Sequence, residues 1–161
     1  MKLVLLIAGV LALPHLISVR QGKPLHMPDS RLQRLEHFFS KRHSPMMQSA
    51  TELLAAADRN GLDWRLLPSI SIVESGGGKA YRNNNVFGWL SGQRSFASIE
   101  AGIHFVADKL AHSRIYSGKE TAEKLAAYNP VPGYQGRIEK VMAVLEKTEV
   151  LTDRVNGSMP W

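Results

Sequence analysis

Three consecutive glycines, Gly76-Gly77-Gly78, impose the firmest local limit on this chain. Glycine resists helical continuation, so any helix that precedes them stops there. From Leu66 to Ser75, Leu67, Ile70 and Val73 recur at helical spacing, and Glu74 follows Ile70 by four residues and Leu67 by seven. A carboxylate is thereby placed on the apolar stripe, in the last helical turn. Partial burial and the unpaired carbonyls of a helix C-terminus both disfavour its negative form. Such a carboxyl is suited to keep a proton and act as a general acid, whereas an ordinary Glu near a helix end is simply solvated.

Past the glycines, Asn83-Asn84-Asn85-Val86-Phe87-Gly88-Trp89 leads from a polar turn into an apolar pair and an aromatic, a segment fit to wall a sugar groove. Val86 to Leu90, Ser91 to Arg94 and Ser95-Phe96 predict a short, irregular β-hairpin facing the acid.

Glu74-Ser75-Gly76-Gly77-Gly78, followed by Asn85-Val86-Phe87-Gly88-Trp89, resembles the glucosaminidase domain of the lysozyme-like superfamily, the mannosyl-glycoprotein endo-beta-N-acetylglucosaminidase-like domain. The resemblance continues through Phe96 to Gly102, Ile115-Tyr116 and Leu125-Ala126-Ala127-Tyr128-Asn129-Pro130, then Tyr134, and covers about Thr51 to Lys147. It implies a mainly α, lysozyme-like fold with a small β lobe and an enzyme that cleaves peptidoglycan glycan strands. Glu74 and Tyr128 are the catalytic residues it implies. Ser75, Asn85, Phe87, Gly88, Trp89, Asn129 and Tyr134 are the expected substrate contacts. The Ala-Tyr-Asn stretch is also similar to that of lytic transglycosylases. From Ser75 to Ile99 there is no Asp or Glu, so the second carboxylate of ordinary glycosidases is missing where the family places one. A glucosaminidase using the substrate's acetamido group, a lytic transglycosylase forming anhydro-muramyl ends and a non-catalytic wall-binding module all remain open at this point.

The rest of the chain reads as follows. Residues 1–19 carry Lys2 and an apolar run from Leu3 to Leu13, which predicts an export signal or, uncleaved, a membrane anchor. The expected location is periplasm, cell wall or medium. Residues 20–43 form a Pro/Gly-containing linker and a supporting helix, capped by Ser30, with Leu32, Leu35, Phe38 and Phe39 on one face. The catalytic domain is expected over 44–147. Ser44-Pro45 starts a helix that ends at Asn60-Gly61, and Pro68 starts the Glu74 helix. Ser98 caps a helix through Ile99, Ile103, Val106 and Leu110, expected to be the central one. Thr121 to Ala127 and about Gln135 to Lys147 supply the last two helices, and residues 148–161 a loose tail.

Composition excludes several classes. With 161 residues there is room for one full core but not for a second catalytic domain. The absence of cysteine rules out a disulfide framework, a thiol nucleophile and a zinc-thiolate site. His104 reads as a packed or surface histidine rather than a ligand, and neither metal nor organic cofactor is expected. The net charge of +6 favours anionic partners. Its basic residues are scattered rather than gathered with aromatics on one element, which points to wall material and away from nucleic acid.

Overall fold

The computed structural model describes residues 29–150. The predicted signal or anchor, most of the linker and the end of the tail lie outside the described residues. The fold is mainly helical: α1 (Ser30–Lys41), a 3-10 turn (Pro45–Ser49), α2 (Ala50–Arg59), α3 (Leu66–Ser75), α4 (Ile99–His112), α5 (Thr121–Tyr128) and α6 (Tyr134–Glu146). No helix among the described residues is long and apolar enough to cross a membrane.

Local chemistry accounts for the boundaries. Asp29, rather than the expected Ser30, caps α1, its carboxylate accepting from the Arg31 N–H at 2.8 Å. A carboxylate one residue upstream also pairs with the Arg31 guanidinium, which a serine hydroxyl does not match. Ser44 caps the next segment as expected, but with Pro45 behind it the chain first makes a 3-10 turn and becomes α-helical only at Ala50. The Glu74 helix starts at Leu66, two residues before Pro68, which still falls in the first turn, where a missing N–H leaves no bond unmade. Ser98 caps α4, accepting from the Ala101 N–H at 3.1 Å.

The helix around which the others gather is α2 rather than the expected α4. It packs on α1, the 3-10 turn, α3 and α4, while α3 lies chiefly against α6, with Leu66, Leu67 and Ile70 sealed from solvent. The supporting helix α1 belongs to the same core: Leu35, Phe38 and Phe39 are buried against α2, the 3-10 turn and α6. Arg34 also donates to the Glu146 and Thr148 carbonyls at 2.7 and 2.5 Å, so the first residues of the expected tail are held.

Two contacts fix α3 against α6 in antiparallel register. At one end Arg65, just before α3, reaches Glu146 at the close of α6, at 2.9 Å. At the other, the end of α3 meets Tyr134, the first residue of α6. The acid and this tyrosine are thus neighbours because the two helices run in opposite directions.

Instead of a β-hairpin, the segment between α3 and α4 is a chain of turns. Among the described residues it contains one isolated antiparallel bridge, Arg82 to Asn85, and no strand. The reason lies in the backbone: Asn83, Asn84, Gly88, Leu90, Ser91 and Gly92 all have φ between 52° and 77°, a conformation that bends the chain and interrupts ladder pairing.

Candidate functional site

Glu74 occupies the last turn of α3, half-buried. Behind it the helix closes in a Schellman arrangement: Gly76, with φ 63°, donates to the Ile72 carbonyl and Gly77 to that of Ser71, each at 3.0 Å. A residue with a Cβ is disfavoured at this left-handed position, which is how the glycine run sets the end of the helix. The turn is then fastened from two sides. The Ser75 hydroxyl donates to Ser71 and accepts from the Gly78 N–H. Ser44, 33 residues upstream, donates to the Gly77 carbonyl at 2.6 Å.

Opposite the acid stands the turn around Gly88. Its φ of 64° and its nearness to Glu74 each call for glycine: a Cβ here would come within 3.0 Å of the Glu74 carboxyl carbon. Asn85 shapes this turn. Its amide donates to the Trp89 and Arg94 carbonyls at 2.9 and 3.0 Å, and its carbonyl accepts from the Trp89 N–H at 3.0 Å. All the bonding capacity used here goes to the loop itself, which makes Asn85 a brace as well as part of the cavity lining.

A bank of aromatic rings closes the other side. Trp89 meets Phe105 and Tyr128 edge-on at 5.7 and 5.6 Å, and Tyr128 stacks on Tyr134 at 6.1 Å. The Tyr128 hydroxyl donates to the Phe87 carbonyl at 2.5 Å, which ties the start of the 129–133 turn to the residue before Gly88. Burial, and after it the nearby Glu74 carboxylate, push the Tyr128 phenol well above its ordinary value of 10.0. Burial pushes Tyr134 in the same direction, reinforced by the Glu74 carboxyl toward which its hydroxyl is turned. The Tyr134 hydroxyl is sealed from solvent yet closes no hydrogen bond of ordinary geometry, with Glu74 or any other group. Both phenols therefore stay protonated around neutrality, as donors and not as bases or nucleophiles.

Two cavities meet at the acid. One, about 630 Å³, is lined by Tyr81, Arg82, Asn83, Asn85 and Gln93. The other, about 640 Å³, is lined by Trp89, Lys109, Tyr116, Tyr128, Asn129 and Val131 among others. Glu74, Gly88 and Ser91 border both, and Glu74 is the one carboxylate in either lining. The arrangement is a groove divided at a single half-buried acid, able to receive an extended polymer with a bond lying over Glu74. Among the described residues no group of three or more His, Asp or Glu side chains is placed to hold a metal ion.

Seven of the expected site residues converge here: Glu74, Asn85, Gly88, Trp89, Tyr128 and Asn129 line the groove, and Tyr134 lies directly behind Tyr128. Two expected contacts take other places. The Phe87 ring is fully enclosed in the core, leaving its carbonyl as its link to the site, because the left-handed Gly88 turns the chain after an inward-facing residue. Ser75 is buried and spent on the α3 terminus. Unforeseen in the lining are Tyr81, Arg82 and Gln93 on one side and Lys109, Ile115 and Val131 on the other. The Tyr81-Arg82 pair directly ahead of the three asparagines was the available signal for the first group.

No protein-family model matches the chain, and a search of curated proteins returns no match.

Proposed function

We propose that the chain is a peptidoglycan-cleaving glycosidase of the endo-beta-N-acetylglucosaminidase type, with Glu74 as its general acid. The observation that carries the proposal is the lone half-buried carboxylate at the meeting of two cavities. An endo-acting enzyme needs room for sugars on both sides of the bond it cuts. The resemblance in sequence and the positive charge supply the choice of peptidoglycan; export through residues 1–19 belongs to the same proposal.

In the reaction, the Glu74 carboxyl gives its proton to the glycosidic oxygen as the bond from that oxygen to the anomeric carbon breaks. The developing positive charge on the sugar is met by the substrate's own acetamido oxygen, which forms a bond to the anomeric carbon. Water then attacks that carbon, the acetamido bond breaks, and the Glu74 carboxylate takes the proton from the water. Tyr128 holds the Gly88 turn against the acid through Phe87, and Tyr134 backs it with a neutral phenol.

A second reading is favoured by the same lack of a partner carboxylate. In a lytic transglycosylase the C6 hydroxyl of the substrate attacks the anomeric carbon, giving its proton to Glu74 and leaving an anhydro ring. Mass spectrometry of peptidoglycan digested by the wild type and by Glu74→Gln separates the cases. Reducing N-acetylglucosamine ends that disappear with Glu74→Gln support the glucosaminidase, and anhydro-muramyl ends the transglycosylase. Binding without release by both proteins makes the chain a wall-binding module. The acid's removal should lower turnover by about 10² to 10⁴.

A further inference from the structure

The two halves of the groove differ in chemistry. Tyr81, Arg82, Asn83, Asn85 and Gln93 give the first a polar lining suited to sugar hydroxyls. The second has an aliphatic rim: Leu90, Ile115 and Val131 border it and are 65, 61 and 56% exposed. Single exposed aliphatics are commonplace. Here three separate segments, the Gly88 turn, the loop after α4 and the loop before α6, each bring one to the same cavity. Leu90 adds an independent sign, since it holds φ 52° while exposed. Glycine or asparagine suits that backbone better, so folding alone does not account for a leucine there. Within the same half lie a cation, Lys109, whose neighbour Asp108 is solvent-exposed and exchangeable, and Ser113, whose buried hydroxyl has no partner.

A bare sugar chain offers hydroxyls and ring faces, for which three aliphatic tips and an ammonium are a poor match. We propose that this half receives a muramyl unit together with the short acidic peptide it bears. Leu90, Ile115 and Val131 cover the peptide's aliphatic side chains, Lys109 pairs with a peptide carboxylate, and Ser113 donates to a carbonyl. This inference rests on the peptidoglycan reading above and narrows it to peptide-substituted strands.

The test compares purified glycan strands bearing intact stem peptides with the same strands stripped by an amidase. Wild type, the Leu90→Ser/Ile115→Ser/Val131→Ser triple variant and Lys109→Gln are assayed for kcat/KM, and each, carrying Glu74→Gln, for retention on both strands. The expected result is a preference of wild type for intact strands on the order of tenfold, which the variants remove by bringing the two rates together. Equal rates and equal retention for wild type on both strands overturn the inference, as does an unchanged preference in the variants. If sedimentation shows that the wild type is a dimer and the triple variant a monomer with its preference intact, the rim is an interface with a second copy, and the inference again fails. Failure of the wild type to cut either strand sinks the enzyme reading alone. The retention measurements then decide the peptide question by themselves, a preference for intact strands upholding it and its absence ending it.

Discussion

The Gly88 backbone lies against the Glu74 carboxyl so closely that a methyl group on its α-carbon would come within 3.0 Å of the carboxyl carbon. The acid and the turn thus define each other's position, and Asn85, which braces the turn, bears on the acid through this contact.

Gly88→Ala should therefore harm activity more than stability. The left-handed backbone alone costs about 1–2 kcal/mol with a Cβ present. Displacing the acid by a fraction of an ångström to an ångström should lower turnover on the order of 10²-fold. Thermal unfolding and peptidoglycan digestion, measured on the same preparation, distinguish the two effects.

Asn85→Asp is the sharper probe of the brace. It keeps the shape of the side chain but replaces an amide nitrogen that donates to two carbonyls with an oxygen that accepts. A loss of about 1–3 kcal/mol is expected, read as a lower midpoint in urea with an unchanged slope. Asn85→Ala should give a loss of similar size.

Tyr128→Phe removes the bond to the Phe87 carbonyl and leaves the ring stack in place. The expected loss is about 1 kcal/mol, or roughly 3–6 °C in melting temperature for a domain of this size. A variant melting with the wild type would show that the hydroxyl contributes nothing to holding the turn.

Stability should fall on the acid side in part through Asp63. Burial pushes its carboxyl up, but hydrogen bonds and charge from Arg65 outweigh this and leave it below its ordinary 3.8 in the folded chain. A carboxyl depressed by folding stabilises the fold fully above its unfolded value and loses that contribution as pH falls through the folded one. Asp63→Asn should thus be less stable than wild type at neutral pH, with the difference shrinking below about pH 4. Urea titrations at pH 7 and pH 3 measure it.

How much of this was legible in the sequence depends on what kind of force placed each residue. The α3 helix, its end at Gly76, the caps at Ser44 and Ser98 and the corner after Tyr128 follow from local chemistry, so periodicity and turn residues reveal them. The first cap was missed by one residue because Asp29 and Ser30 are both good caps and an arginine partner decided between them. The turns between α3 and α4 were misjudged because left-handed Leu90 and Ser91 carry no glycine-like signature. Their hidden bends follow the Gly88 turn and bring Gln93 to the groove. Lys109, Ile115 and Val131 could not be assigned to the site, since only the tertiary packing, α4 on α2 and α6 on α3, carries them there.

The hydroxyl of Ser44 grips the turn that follows Glu74, although neither it nor the helix before it borders the groove. The smallest working unit of this protein is accordingly larger than the stretch from Thr51 to Lys147 that resembles a glucosaminidase. Trimming to those limits would keep every groove-lining side chain and still remove one of the two fastenings of the turn behind the acid, along with the core that Leu35, Phe38 and Phe39 complete.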